Sequence, residues 1–210
     1  MIEVHLKVCG ITSLADALVA VECGATYLGF NFYRPSPRFI EPEAARVITS
    51  ALPAAVCSVG IFVNEPRPDD VRRIIDQSGV ALAQLHGEES VAYCLEVGAE
   101  RVIKAFRAGG DFHSIAVMEY PVRAILLDAY DPRLHGGTGR TADWNIAADL
   151  ARRVDLFLAG GLNPENVVDA IEAVRPFAVD LNSGVESAPG IKDAAKLRRL
   201  AERLGLIKSV

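Results

Sequence analysis

The chain has 210 residues, of which 50% are apolar and 23% charged, and its formal net charge is −5. This length suffices for one hydrophobic core of ordinary size, so we expect a single domain spanning residues 1–210. The acidic balance argues against a nucleic-acid partner, and the absence of a signal-peptide pattern or a long apolar run predicts a cytoplasmic protein without a membrane span.

Short apolar runs alternate with amphipathic stretches along the whole chain, which predicts successive strand–helix units. The predicted strands lie at residues 4–10, 27–33, 56–63, 81–87, 101–107, 123–130, 155–161 and 177–184. The predicted helices lie at residues 13–24, 41–52, 68–79, 89–98, 111–120, 141–153, 163–174 and 192–205. Ser13 is a suitable N-cap for the first helix, and Gly24 is a suitable stop. The longest connection, at residues 130–140, is expected to be mobile.

Eight units of similar length, each with an almost wholly apolar strand, favour a closed parallel barrel. An open doubly wound sheet also alternates strands and helices, but it accommodates eight near-equal units in so short a chain less well. In a closed barrel the chemistry is carried by residues at the C-terminal ends of the strands. The sequence therefore predicts an α/β fold, a single-domain (β/α)₈ TIM barrel, with one site at that mouth.

Polar residues and glycines follow most of the predicted strands. They are Cys9, Arg34, Arg38, Asn64, His86, Arg107, Asp128, Gly160, Gly161, Ser183 and Gly184. These residues show neither the spacing of a strong metal site nor a Walker-type loop or G-x-G-x-x-G sequence. We therefore expect neither a metal nor a nucleotide cofactor.

The four cysteines are widely separated, so their spacing indicates neither a zinc site nor a disulfide framework. Three of them, Cys23, Cys57 and Cys94, lie within apolar helix or strand patterns, and we expect them to be small, reduced core residues. Cys9 differs because it ends the first strand directly before a glycine. From the residues alone, it is either core filling or a reactive thiol at the barrel rim.

Small residues follow the seventh and eighth strands, in the turns that contain Gly160, Gly161, Ser183 and Gly184. Such turns let backbone N–H groups approach an anion beside a helix N-terminus. A purely conformational role would explain either turn by itself. Both turns together, at this position of a barrel, favour a phosphorylated ligand.

Three further residues have two readings each. Asp128 follows the apolar run AILL, so it is either a solvated loop carboxylate or a partly buried proton donor, and we favour the donor. His86 is more often a structural histidine than a catalytic one in such a position, so we predict an indirect role for it. Trp144, at the start of the sixth predicted helix, is expected to serve packing or loop anchoring rather than substrate stacking.

Seven segments in chain order resemble phosphoribosylanthranilate isomerase, an enzyme family of tryptophan biosynthesis. They are KVCGIT, GFNFYRPSPRFI, VGIFVN, QLHGEE, LLDAY with GGTGRTADW, LAGGLNPENV and VDLNSGVES with PGIKD. The resemblance covers nearly the whole chain. It implies an Amadori rearrangement, without cofactor or metal, of N-(5-phosphoribosyl)anthranilate to 1-(2-carboxyphenylamino)-1-deoxyribulose 5-phosphate.

The resemblance also implies a role for individual residues. Asp128 would be the general acid that protonates the furanose ring oxygen, and Cys9 the general base that removes the C2′ proton of the resulting Schiff base. Cys9 would be made a competent base by its surroundings, by Lys7 or by the substrate. Arg38 would hold the anthranilate carboxylate, since its planar fork suits a carboxylate.

The same resemblance implies that the phosphate is bound by Gly160, Gly161, Ser183 and Gly184. Asp180 would lie near a ribose hydroxyl. Arg34 stands at a position where the family varies, and the chain departs from the family pattern at Asn182 and in the first half of the loop 130–140. Side-chain roles are therefore not transferred to those positions.

Two other functions remain open. A histidine-pathway phosphoribosyl isomerase performs the same chemistry on a similar barrel, but it is expected to have aspartate at the position of Cys9 and a half-barrel repeat. A non-catalytic barrel that binds a phosphorylated metabolite for regulation would need neither Cys9 nor Asp128. In each case we expect a small phosphorylated ligand, no membrane or nucleic-acid partner, and a monomer or homodimer.

Overall fold

The computed structural model describes residues 4–108, 117–128 and 142–207, without the side chains of residues 142 and 143. Within them, eight parallel strands close into a barrel in chain order. They are β1 (His5–Val8), β2 (Tyr27–Asn31), β3 (Cys57–Phe62), β4 (Leu82–Leu85), β5 (Val102–Arg107), β6 (Ala124–Asp128), β7 (Leu156–Ala159) and β8 (Ala178–Leu181). β8 pairs with β1 and closes the ring. The predicted TIM barrel is confirmed.

Helices cover the outside of the barrel. In the described residues they are α1 (Leu14–Glu22), α2 (Pro42–Ala51), α3 (Pro68–Ser78), α4 (Val91–Val97), α5 (Ala142–Ala151), α6 (Val167–Val174) and α7 (Ala194–Arg203). Ser13 caps α1 as predicted, since its hydroxyl accepts a hydrogen bond from the amide of Asp16 at 3.1 Å. Most of the fifth predicted helix, at 111–116, and the loop 130–140 lie outside the described residues.

The barrel interior is apolar at its N-terminal end and polar at its C-terminal end. Both faces of the strands are buried, which explains their apolar sequences. Deep in the barrel, the inward-pointing side chains form an apolar cluster that includes Tyr27 and Phe157. Nearer the C-terminal mouth, Lys7, Gln84 and Asp180 are buried in the same interior. This change from apolar to polar marks the end of the barrel at which the predicted site lies.

The segment between β8 and α7 differs from the prediction. In place of a simple connection, it forms a 3₁₀ helix (Ser183–Val185) and an antiparallel hairpin of β9 (Glu186–Ala188) and β10 (Ile191–Lys192). The predicted helix began two residues too early, because Asp193 is the N-cap of α7 and its carboxylate accepts hydrogen bonds from two amides of the first turn. Alternation over so few residues gave no strand signal.

The cysteines lie where the sequence pattern predicts. Cys23 and Cys94 are buried in the core between strands and helices, and Cys57 packs against the apolar cluster inside the barrel. All four cysteines, including Cys9, are unpaired thiols. The three core thiols therefore have packing roles.

Among the residues that the structure describes, none of the helices combines the length and the apolar character needed to cross a bilayer. The boundaries of the single domain, residues 1–210, stay a prediction of the sequence.

A buried ion pair joins three units near the barrel mouth. The side chains of Lys104 on β5 and Glu89 after β4 are each 2% exposed, and Nζ lies 3.1 Å from Oε2. Lys104 also donates to the carbonyl oxygen of Gly87 at 2.6 Å. Glu89 accepts a hydrogen bond from the amide of Asn64, after β3, at 2.8 Å. The pair therefore fixes the loops that follow β3 and β4.

Replacing Lys104 with methionine is expected to lower the free energy of unfolding by about 3–5 kcal/mol, because the charge of Glu89 stays buried without its partner. Denaturant unfolding followed by circular dichroism measures this loss. The double variant Lys104→Met/Glu89→Gln removes both charges and should regain part of the stability. A Lys104→Met protein as stable as the parent would contradict this account of the pair.

Candidate active site

A cavity of about 420 Å³ opens at the C-terminal ends of the strands. It is lined by Cys9, Asn31, Ile61, Gln84, His86, Asp128, Ala159, Gly160, Gly161, Leu162, Asp180, Asn182 and Ser183. The cavity therefore brings together the predicted acid and base, the carboxylate predicted near a ribose hydroxyl, and both predicted phosphate turns.

Cys9 directly follows β1, and its amide donates to the carbonyl oxygen of Leu181 at 2.8 Å. The thiol packs over Gly29 on β2, where a Cβ atom would lie only 2.7 Å from Sγ. Glycine at this position of β2 therefore makes the room that the thiol needs. Cys9 is 8% exposed, and what is exposed faces the cavity. The thiol therefore packs against Gly29 and also lies at the barrel rim.

A buried ion pair lies beside this thiol. Lys7, two residues earlier on the same face of β1, has no exposed surface, and its Nζ lies 2.6 Å from Oδ2 of Asp180. Burial disfavours the charge of Lys7, but the charge of Asp180 and the hydrogen bonds with Asp180 and the neighbouring Cys9 act against burial, and the pKa of Lys7 is raised. Lys7 is therefore a fixed cation next to Cys9.

Burial raises the pKa of Cys9 above its ordinary value, and the charge of Asp180 adds to this effect. The nearby cations Lys7 and Lys192 offset only part of it. Since the thiolate is the reactive form of cysteine, a raised pKa leaves a small reactive fraction at neutral pH. The free protein therefore holds Cys9 mainly as the neutral thiol, and the thiolate fraction grows with pH.

The rate at which iodoacetamide alkylates Cys9 is expected to rise about tenfold per pH unit, without a plateau below about pH 8.5, the ordinary thiol pKa. The reason is that the pKa of Cys9 is raised, so the thiolate fraction is still increasing at that pH. Mass spectrometry of the peptide that contains Cys9 separates it from the partly buried Cys57. A plateau near pH 7 would indicate a lowered pKa and contradict this description.

Asp128 is the last residue of β6 and is half-buried, and it lines the cavity together with His86. Burial lowers the pKa of His86, and the charge of Asp128 offsets part of this effect. The imidazole is therefore neutral at pH 7. Nδ1 of His86 lies 3.0 Å from Nε2 of Gln84, which holds the ring in place. His86 is thus a neutral neighbour of Asp128.

Two buried oxygen atoms in this cavity have no hydrogen-bond partner among the described residues. They are Oε1 of Gln84 and Oδ1 of Asp180. A buried acceptor without a partner is costly, so such atoms are normally satisfied by protein, water or ligand. Both oxygen atoms can accept a hydrogen bond from a hydroxyl group of a ligand.

The turns after β7 and β8 are in close contact. Gly160 and Gly161 have φ of 101° and 64°, which glycine adopts without strain. A Cβ atom at Gly184 would collide with the carbonyl oxygen of Leu162, so only glycine fits there. Within the described ranges, the amides of these three glycines and of Ser183 donate to no protein acceptor. The turns therefore offer unused N–H groups suited to an anion.

Arg38 lies on the loop after β2, beside the cavity rather than in its lining. Its Nε and Nη2 donate to the carboxylate of Glu186 at 3.0 and 2.6 Å. These hydrogen bonds raise the pKa of Arg38 further. The side chain is 19% exposed. Arg38, predicted to hold a ligand carboxylate, thus already holds a protein carboxylate with one of its edges.

Other strand-end residues lie away from the cavity. Arg34 is 75% exposed and forms a surface ion pair with Glu41 at 3.2 Å. Asn64 and Arg107 line a second cavity of about 400 Å³, and His86 lines both cavities. Trp144 packs against the core, in agreement with the packing role predicted for it.

Sequence reasoning missed several residues of this region, among them Gln84, Glu186 and Lys192. Gln84 is a polar residue in the apolar strand β4, and because alternate residues share a face, it points inward like His86 two residues later. That alternation was the available signal. Glu186 and Lys192 belong to the hairpin, which was not predicted.

In the ranges that the structure covers, no three side chains of His, Cys, Asp or Glu lie close enough together to hold a metal ion. The absence of a cofactor remains a prediction of the sequence.

Comparison with known proteins identifies the family of this chain. A family model described as N-(5′-phosphoribosyl)anthranilate isomerase matches residues 6–203. The N-(5′-phosphoribosyl)anthranilate isomerase of Citrifermentans bemidjiense is 52% identical over 205 residues, which cover 96% of this chain and 98% of that protein. The family predicted from the sequence is therefore confirmed.

Two solved structures have the same fold. Monomers generated from the dimeric phosphoribosylanthranilate isomerase of Thermotoga maritima are 40% identical with a TM-score of 0.84, and 97% of this chain and 100% of that chain are covered. A phosphoribosylanthranilate isomerase in complex with reduced 1-(o-carboxyphenylamino)-1-deoxyribulose 5-phosphate is 41% identical with a TM-score of 0.84 and the same coverage. By the extent and identity of these matches, the chain belongs to the N-(5′-phosphoribosyl)anthranilate isomerase family.

Proposed function

We propose that this chain isomerises N-(5′-phosphoribosyl)anthranilate to 1-(2-carboxyphenylamino)-1-deoxyribulose 5-phosphate in tryptophan biosynthesis. The observation that carries the proposal is that one cavity is lined by a thiol, a carboxylate and two turns with unused amides. A proton-transfer reaction on a phosphorylated substrate needs these groups. Family membership supports the same activity.

The phosphate of the substrate would lie at the turns that contain Gly160, Gly161, Ser183 and Gly184. Unused N–H groups and close backbone approach support this placement. From there the ribose extends across the cavity, and its hydroxyls would donate to Oδ1 of Asp180 and Oε1 of Gln84, the two buried acceptors without partners. The anthranilate carboxylate would lie at the rim, against Arg38.

The first step is ring opening. Protonated Asp128 donates its proton to the furanose ring oxygen while the bond between C1′ and that oxygen breaks. The electron pair of the anthranilate nitrogen forms the C1′=N bond, so the product is a protonated Schiff base. Asp128 is left as a carboxylate. A positioned acid of this kind typically contributes about 10²- to 10⁴-fold to the rate.

The second step removes a proton from carbon. The iminium withdraws electrons from C2′, and the thiolate of Cys9 takes the C2′ proton to give an enolamine. The raised pKa of free Cys9 makes its thiolate a strong base once formed. Lys7 on one side and the iminium on the other stabilise the thiolate in the complex, whereas burial opposes it.

The last step restores both groups. The enolamine becomes the ketone when its C2′ hydroxyl loses a proton and C1′ gains one. Return of the proton from Cys9 to C1′, and transfer of the hydroxyl proton to the Asp128 carboxylate, balance all protons. Within the complex, Asp128 is then protonated again and Cys9 is again a thiolate, so neither a metal nor a redox cofactor enters the proposed cycle.

We further propose that the protein acts in the cytoplasm as a monomer or homodimer. Its four unpaired thiols suit a reducing compartment. A dimer is known for the Thermotoga maritima relative.

The proposal is tested by adding freshly generated N-(5′-phosphoribosyl)anthranilate to the purified chain and following the loss of anthranilate fluorescence. Reduction of the product with borohydride and mass spectrometry identify the aminoketose. Turnover to this product supports the proposal. An inactive chain that still binds the reduced product analogue would instead support a non-catalytic binder, and preferential turnover of a histidine-pathway aminoaldose would support that rival function.

A further inference from the structure

The unpredicted hairpin Glu186–Lys192 is fixed at the rim of the barrel, beside β1 and α7. Thr12, after β1, donates its hydroxyl to the carbonyl oxygen of Gly190 at 2.5 Å. On the opposite side, Nζ of Lys196 donates to the carbonyl oxygen of Glu186 at 2.7 Å. The hairpin therefore connects the loop after β1 to α7, and it carries two charged residues towards Arg38.

Glu186 is the centre of a buried charge cluster. Its carboxylate accepts hydrogen bonds from Nε and Nη2 of Arg38 at 3.0 and 2.6 Å, and from Nζ of Lys192 at 2.8 Å. The side chains of Glu186 and Lys192 are 4% and 1% exposed. Lys192 also donates to Oδ1 of Asn182, a residue that lines the cavity, at 3.2 Å. The cluster is thus continuous with the cavity.

The cluster contains two cations and one carboxylate, so it has one positive charge in excess. The carboxylate of Glu186 accepts hydrogen bonds from the side edge of the Arg38 guanidinium, which is formed by Nε and Nη2. Among the described residues no acceptor takes a hydrogen bond from Nη1. An arginine presents its N–H groups in a rigid fork, so fixing one edge also fixes the direction of the end edge. A second carboxylate is the group that this free edge suits.

We infer that Glu186 and Lys192 are positioning residues that hold Arg38 for a substrate carboxylate, and that they thereby make the enzyme select carboxylated over uncarboxylated aminoaldoses. This inference rests on the proposed function. Glu186 fixes the guanidinium on its side edge, and Lys192 compensates the buried charge of Glu186. The stem of Arg38 packs against the backbone of Gly10, where a Cβ atom would lie 2.8 Å from Cδ. The arginine is therefore restrained along its length.

Two competing explanations give different results for Glu186→Gln. If only charge mattered, this variant would raise the excess positive charge near the carboxylate and strengthen binding. If the hairpin pair were merely structural, the variant would weaken turnover of all substrates alike. Positioning predicts a third result, a loss confined to the substrate that has a carboxylate.

The test compares kcat/KM for N-(5′-phosphoribosyl)anthranilate with kcat/KM for N-(5′-phosphoribosyl)aniline, which lacks the carboxylate. In Glu186→Gln the ratio of the two values is expected to fall by about 10- to 100-fold, the range for losing a hydrogen bond to a charged group. The aniline substrate alone should be turned over as by the parent. Glu186→Asp, which keeps the charge, should give an intermediate ratio.

Two controls complete the design. Glu41→Gln removes a glutamate that pairs on the surface with Arg34, which lies on the same loop as Arg38. This variant should leave the ratio unchanged. In an Arg38→Met background, Glu186→Gln should have no further effect on the ratio. An unchanged or increased ratio in Glu186→Gln overturns the inference, and Glu186→Asp provides the measurement if Glu186→Gln does not fold. A parent that turns over neither substrate overturns the proposed function itself.

Discussion

Replacing Cys9 with serine is expected to lower kcat for N-(5′-phosphoribosyl)anthranilate by about 10²- to 10⁴-fold, the usual contribution of a positioned proton acceptor. Serine keeps the space above Gly29, but its hydroxyl is a far weaker base than a thiolate. KM should change little, because Cys9 lies between the groups assigned to the phosphate and the carboxylate. Stopped-flow fluorescence of the anthranilate group measures both constants.

The matched control for this change is Cys57→Ser, which alters a thiol in the apolar interior away from the mouth. It is expected to leave kcat close to that of the parent. Circular dichroism confirms that both variants are folded. A Cys9→Ser protein with the parent's kcat would show that the thiol is only a packing residue.

Replacing Asp128 with asparagine is expected to lower kcat by a similar factor of about 10²- to 10⁴-fold, because an amide cannot donate the proton that opens the ring. The effect arises one step earlier than that of Cys9→Ser. Borohydride added during a single turnover should therefore trap a ring-opened imine in Cys9→Ser and much less of it in Asp128→Asn.

Asp155→Asn is the matched control, since this exposed carboxylate precedes β7 at the opposite end of the barrel. It should keep the parent's kcat. An Asp128→Asn protein that accumulates as much ring-opened imine as Cys9→Ser does would contradict the assignment of Asp128 as the acid.

The barrel was predictable because its strands are buried on both faces. Apolar runs such as AILL before Asp128 stand out from the amphipathic helices on either side, and eight of them leave few other architectures. The location of the site was predictable from the same fold, since parallel strands bring their C-terminal ends to one mouth of the barrel. Cys9 and Asp128 were therefore found by position, although they lie 119 positions apart in the sequence.

The residues that sequence reasoning missed are defined by contacts between distant parts of the chain, and no local sequence pattern reveals such contacts. Glu186 is partnered by Arg38, 148 positions away in the chain, and only the closed barrel brings them together. Lys7 shows another limit. It interrupts an apolar strand, and nothing local indicates that Asp180, its register partner on the neighbouring strand β8, neutralises it.

The direction in which the pKa of Cys9 shifts could not be predicted from the sequence, for the same reason. It depends on how burial, Lys7, Asp180 and Lys192 balance in three dimensions. Because the thiol is mainly neutral in the free protein, we expect the bound substrate to help form the thiolate that acts as the base.

The central claim is that Cys9 removes the C2′ proton of the substrate, and the most direct measurement is the rate at which deuterium leaves C2′ of a C2′-deuterated substrate. Single-turnover samples analysed by NMR give this rate for the parent and for Cys9→Ser. The account predicts that Cys9→Ser loses the C2′ deuterium about 10²- to 10⁴-fold more slowly than the parent. Loss of the deuterium at the same rate in both proteins would contradict it.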